Sequence, residues 1–135
     1  MQDLSLPSTT PAMVWTGRIV SGLVALFLLV DGGIKLVPLD IVIETSRQMG
    51  IPEHLARTLG VLTLVGTLLY IFPRTAVLGA ILLTGYFGGA IYAHVRIDSP
   101  LLSHTLFGVY LGILMWLGLW LRDARLRALL PFVRS

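Results

Sequence analysis

The run Thr75–Leu121, TAVLGAILLTGYFGGAIYAHVRIDSPLLSHTLFGVYLGILMWLGLWL, decides the fold of this chain. It contains two apolar segments, Thr75–Val95 and Leu101–Leu121, each close to the roughly 20 residues a helix needs to cross the hydrocarbon of a bilayer. Only Arg96 to Pro100 separates them, and a connection that short returns the second helix antiparallel to the first. Upstream, Met13–Leu36 and His54–Phe72 repeat the pattern, with the turn Phe72-Pro73-Arg74 leading into the third segment. The expectation is an all-α membrane protein: an up-down four-transmembrane-helix bundle with a polar tail over residues 1–12 and a basic tail over 122–135.

Bulk composition agrees. In 135 residues the hydrophobic share is 56% and the charged share 13%, outside the range of soluble globular domains. Ten basic residues give a formal net charge of +3, but their scatter around apolar spans calls for a topological account, not nucleic-acid binding. The absence of cysteine excludes disulfides, thiolate metal sites, iron-sulfur ligation and dithiol relays within the chain. The opening MQDLSLPSTTPA lacks the basic region of a secretory signal, so the first span reads as an uncleaved anchor.

Charge sets the topology. Arg18, Arg74, Arg122, Arg125, Arg127 and Arg134 fall on one side of the bundle and Lys35, Arg47, Arg57 and Arg96 on the other. The positive-inside rule places the first set, and both termini, in the cytoplasm of a bacterial inner-membrane protein. The tail LRDARLRALLPFVRS suits a short interfacial helix against anionic headgroups. On the outer side, Pro38–Met49 reads as a short amphipathic helix with Ile41, Val42, Thr45 and Met49 toward bundle or membrane and Asp40, Glu44 and Arg47 elsewhere. Gly50 is its expected stop, and Pro52 the first turn of the next helix.

Two GxxxG pairs, Gly85/Gly89 and Gly108/Gly112, suggest close helix contacts, within the chain or in a homo-oligomer. Trp15, Trp116, Trp120, Tyr70 and Tyr92 lie toward span ends and read as interfacial anchors.

The polar residues gather at the outer end. His54, His94 and His104 map there from three helices. Asp31 and Lys35 sit four apart near the end of the first span, a spacing that allows an ion pair. Asp31 stands 13 residues past Arg18, about 20 Å along the helix, which puts a carboxylate in the outer leaflet. An ionisable group at that depth points to function, or to a structural pair that fixes the first helix. Tyr86, Ala90 and His94 share a helical stripe beside Gly89 and Ala93, leaving room for a flat ligand. Arg96 adds a positive charge for an anionic or carbonyl headgroup, or pairs with Asp98 at a surface turn. Histidines at helix ends more often cap or touch headgroups than ligate, so no metal or haem site is assigned. No nucleophile–base motif is present.

DGGIKL (31–36), GIP (50–52), GYFGGAIYAHVR (85–96) and LLSHTLF (101–107), in this order and spacing, resemble the DoxX-like family of small bacterial membrane proteins. The resemblance covers essentially the whole chain after the N-terminal tail. It implies a four-helix membrane bundle, and a family named after a subunit linked to thiosulfate oxidation with quinone as acceptor. Lys35, His94, Arg96 and His104 match its recurring polar positions.

Together these features favour a small lipid-soluble ligand, with quinone as the candidate, held by Asp31, Lys35, Tyr86, His94, Arg96 and His104. His94, His104 and Arg96 supply donors to its carbonyls, and a membrane or redox partner protein supplies the electrons. The competing reading is a non-catalytic anchor or scaffold whose polar end docks a partner. A small-solute carrier has less support, because the two halves lack self-similarity.

Overall fold

The structure is a computed structural model that describes residues 6–37, 39–52 and 54–133. In chain order it has α1 (Pro11–Leu36), α2 (Asp40–Gln48), α3 (His54–Ile71), α4 (Ala76–Arg96), a π-helical turn (Leu101–Thr105), α5 (Phe107–Arg122) and α6 (Ala124–Leu129), with no strand among the described residues. The four apolar spans of the sequence are α1, α3, α4, and the π turn continued by α5. α1 packs against α3 and α5, and α4 packs against the same two, so α1 and α4 stand at opposite corners. This is the up-down bundle that short connections dictate.

Helix boundaries follow local chemistry. Thr10 caps α1, its hydroxyl accepting from the Met13 N–H at 3.2 Å, and Pro11 occupies the first turn, where a missing N–H costs nothing. α2 stops at Gly50, whose φ of +70° suits a residue without a Cβ. Pro52 lies just before α3, its carbonyl accepting from the Leu55 N–H, instead of within the first turn. Pro38, the expected start of the loop helix, lies outside the described residues.

Glycines set how closely the helices approach, though mostly not those of the GxxxG pairs. A Cβ on Gly17 would stand 2.8 Å from the Gly118 carbonyl oxygen, one on Gly60 2.8 Å from the Gly32 carbonyl oxygen, and one on Gly79 2.3 Å from the Tyr70 nitrogen. These contacts join α1 to α5, α1 to α3, and α3 to α4, and only a bare Cα permits them. Gly108 does pack, against Phe87 and Ile91 of α4. Gly85 and Gly89 meet nothing within 4 Å inside the chain, so that pair does not make the intrachain helix contact, and both border a cavity. Their spacing alone cannot say which neighbour lies opposite.

The core comprises Val24, Leu28, Tyr70, Leu83, Phe87, Met115 and Leu119, while Leu23, Leu26, Ile81, Leu82 and Ile113 cover the outside. An apolar exterior is what a bundle in hydrocarbon requires. Tyr70 overturns its reading as an interfacial anchor: it is 0% exposed, and its hydroxyl donates to the Met115 carbonyl at 2.7 Å and lies 3.0 Å from Ser21 Oγ. The phenol finds polar partners on α1 and α5, so burial leaves none of its hydrogen-bonding capacity stranded. Trp15 and Tyr92 remain exposed on the surface, whereas Trp116 donates to Thr84 Oγ1 and Trp120 to the Leu130 carbonyl.

At the opposite end of the bundle, expected from the sequence to be the inner one, α6 folds back on α5. Asp123 caps it, and Arg127 is buried, donating to the Trp120 and Leu121 carbonyls, the Ser8 carbonyl and Thr9 Oγ1. Arg127 therefore ties the two ends of the chain together and is not directed to headgroups. Arg125 on the same short helix is exposed. Arg134 lies outside the described residues.

Candidate functional site

The end of the bundle where α1 stops and α3 begins, expected from the sequence to be the outer one, holds a cavity of about 630 Å³ lined by α1, α2, α3, α4 and α5. Its walls are mainly apolar, with Phe27, Leu28, Ile34, Phe87, Phe107 and Leu111 among them. Phe27 and Phe107 meet edge to face, centroids 5.4 Å apart, where α1 adjoins α5. Gly85, Gly89, Ala90 and Ala93 form one side, and their lack of bulk is what keeps the space open.

α2 roofs this space. Val42 and Ser46 are buried, and Ile41, Thr45 and Met49 also border the cavity, although Ile41 keeps most of its surface exposed, so only part of the apolar face expected from its periodicity is turned inward. Glu44 and Arg47 lie on the exposed side, 3.7 Å apart. Arg96, at the end of α4, donates to the Met49 carbonyl and fastens the end of α2 over the site. The turn depends on Gly50, where a Cβ would stand 2.8 Å from the Arg96 guanidinium. Arg96 makes no ion pair with Asp98 and is not on the cavity wall; its guanidinium meets the Met49 carbonyl at the end of α2.

Asp31, Lys35 and Tyr86 form one connected chain on the wall. Lys35 Nζ donates to Asp31 Oδ2 at 2.7 Å and to the Tyr86 hydroxyl at 2.7 Å. One helical turn brings lysine and carboxylate together, whereas the phenol arrives from α4 across the bundle. An ammonium carries three protons, so one remains for a further acceptor. Tyr86 accepts from Lys35 and retains its own O–H for donation. The pair side chains keep 22% and 31% exposure, so the cavity gives both some access to solvent or ligand.

The histidines stand at the mouth. The rings of His94 and His104 lie 5.9 Å apart at 66°, and both line the cavity. His94 Nδ1 pairs with Ser99 Oγ at 3.0 Å and His104 Nδ1 with Ser103 Oγ at 2.7 Å, which leaves Nε2 of each ring for other partners. His104 reaches this place because the chain enters the last span through a π-helical turn: the Thr105 N–H bonds to the Pro100 carbonyl and the Leu106 N–H to that of Leu101. The extra residue per turn rotates His104 relative to an ordinary α-helical start, a distortion common at functional sites. Nothing in LLSHT announces it. His54 begins α3 but does not border the cavity, so two of the three histidines converge. No group of three or more histidine and carboxylate side chains suited to a metal occurs among the described residues.

Five of the six residues singled out from the sequence, Asp31, Lys35, Tyr86, His94 and His104, thus line one space, and Arg96 closes it from outside. Ser99 and Ser103 were missed. Ser103 is next to His104 in the chain, whereas Ser99 lies five residues past His94 and carried no such signal.

These features define a multi-pass, all-α membrane protein with a roofed cavity at one end of its bundle. The chain belongs to the DoxX-like family, whose model matches residues 19–118 and so takes in all or most of each of the four long helices. No curated protein and no solved structure matches it.

Proposed function

We propose that the outer cavity binds a small lipid-soluble ligand of quinone type, in support of a membrane redox system. The observation that carries this reading is the Asp31–Lys35–Tyr86 chain, which presents an ammonium and a phenol to an otherwise apolar space of about 630 Å³. Volumes of roughly 300–1,000 Å³ with few convergent polar groups are typical of small-molecule sites. A quinone fits the chemistry of the donor set: its ring suits the glycine and phenylalanine walls, and its carbonyl oxygens accept from Lys35 Nζ and Tyr86 O–H at one end and from His94 or His104 Nε2 at the other. Bound quinone would supply two-electron acceptor chemistry. The protein's own residues orient the ring, exclude water with the α2 roof, and hold protons at the imidazoles and at the Lys35–Tyr86 pair.

In this reading the chain resides in a bacterial cytoplasmic membrane, with both termini on the cytoplasmic side, as its arginine distribution favours. The cavity then opens in the outer leaflet. Electrons reach it from a partner protein, because a chain without cysteine has no dithiol or iron-sulfur relay to offer.

The test is retention of quinone through purification in detergent, together with thermal stability on adding it back. Co-purified quinone and a raised Tm support the assignment. Protein that neither retains quinone nor responds to it overturns the assignment.

A further inference from the structure

A second, smaller pocket of about 260 Å³ lies at the opposite end of the bundle, bounded by the inner ends of α1 and α5, the α3–α4 turn and the start of α6. Its charge is strongly one-sided. Arg18, Arg122 and Arg125 line it, against a single carboxylate, Asp123. Asp123 is already engaged by Arg125 at 3.2 Å and by its own role as cap of α6. Among the described residues no carboxylate pairs with Arg18 or Arg122: the Arg18 guanidinium lies over the Trp15 ring at 5.4 Å, and Arg122 donates one Nη2–H to the Tyr70 carbonyl at 2.9 Å. Arg122 Nε is buried and has no hydrogen-bond partner.

A fourth source of positive potential adds to these three guanidinium groups. Ala76, the first residue of α4, is on the pocket wall, and no side chain caps that helix, because Thr75 Oγ1 turns back to the Leu69 carbonyl. The N-terminal end of a long helix carries unsatisfied N–H groups and about half a positive charge. A half-buried guanidinium without a carboxylate partner, an arginine on an aromatic ring and an uncapped helix start around one small concavity make a receptor for a tetrahedral oxyanion.

We propose that this inner pocket binds a phosphate group, either the headgroup phosphate of an anionic phospholipid or a free phosphate. Of the apolar members of its wall, Leu6 is exposed and Val14 partly so, and these suit the glycerol end of a lipid. Positive charge near the membrane surface attracts anionic headgroups generally; the pocket adds a place where three arginines act on one group. The site is separate from the outer cavity, and its occupancy does not depend on what that cavity holds.

The experiment is native mass spectrometry of the full chain in detergent, titrated separately with phosphatidylglycerol, phosphatidylcholine and inorganic phosphate. One saturable phosphatidylglycerol site, bound several-fold tighter than phosphatidylcholine, is expected. Arg18→Gln should weaken it about fivefold, the value of one basic residue near a surface, whereas Arg57→Gln, at the outer end of the bundle, should leave it unchanged. Binding of inorganic phosphate that competes with the lipid would assign the site to the free anion; no such competition assigns it to the lipid headgroup. Equal retention of phosphatidylglycerol and phosphatidylcholine with no binding of inorganic phosphate, or equal losses in Arg18→Gln and Arg57→Gln, overturns the proposal. Arg122→Gln serves as a second variant only where its melting curve matches wild type, because Arg122 also supports Tyr70.

Discussion

Lys35 of α1 and Tyr86 of α4 are joined across the diagonal of the bundle, Nζ to hydroxyl, at 2.7 Å. Since α1 and α4 pack mainly through α3 and α5, this bond spans the cavity end instead of a packed seam. It couples the one acid–base pair found within the four long helices among the described residues to the phenol facing the proposed ligand.

Tyr86→Phe keeps the ring and removes the hydroxyl. Hydrogen bonds to charged groups contribute about 1.5–3 kcal/mol, so quinone affinity should fall by about tenfold or more while the fold persists. Equilibrium titration followed by tryptophan fluorescence measures it; unchanged affinity would place the ligand elsewhere.

Lys35→Met leaves Asp31 without its partner at a depth where a lone carboxylate is costly. Loss of about 1–2 kcal/mol is expected, moderated by the solvent access of both side chains. The double variant Asp31→Asn/Lys35→Met should recover part of it. Chemical denaturation of the two single variants and the double variant gives the coupling directly.

Gly79→Ala and Gly89→Ala should differ sharply. The first drives a Cβ to 2.3 Å from the Tyr70 backbone nitrogen, where no flexible side chain can yield, and should lower stability by about 3 kcal/mol or prevent folding. The second meets nothing within 4 Å and should leave Tm unchanged within a degree or two. A larger replacement, Gly89→Leu, fills the cavity and should abolish ligand binding without unfolding the bundle. Melting curves and ligand titration together separate the two effects.

Acidification should loosen the end of the bundle that carries α6. Burial alone would raise the Asp123 carboxyl, but the Arg125 side chain and the backbone N–H groups of Arg125 and Leu126 hold it below the ordinary carboxylate value. A lowered folded-state pKa stabilises α6 above the ordinary carboxyl pKa, and that contribution disappears as pH falls through the folded value. Emission of Trp120, which donates to the Leu130 carbonyl just beyond α6, should change over this acidic window. Asp123→Asn keeps a capping side chain and should lose the pH response, while Asp123→Ala should fray α6 at neutral pH.

Much of the site was legible because depth in a helix is a linear quantity. Asp31 and Lys35 are one turn apart, so their pairing needs no tertiary information. His94 and His104 flank a turn of fixed direction, which brings their helix ends together. Arg96 illustrates the limit: its charge was evident, but only the return of α2 over the bundle decides that it meets the Met49 carbonyl. Tyr70 shows the same limit from the other side, since an aromatic near a span end is an anchor or a core residue according to the rotation of its helix.

Hydropathy, span length and short turns by themselves determined that four helices cross a membrane in alternation, because each property is local and additive along the chain. Which glycines touch and which line a cavity, where the π-helical turn sets His104, and that Lys35 serves both Asp31 and Tyr86 were decided only by tertiary structure. Those outcomes depend on how each helix is rotated about its axis. That rotation is set by contacts between segments far apart in sequence, at positions such as Gly17 with Gly118 and Gly79 with Tyr70.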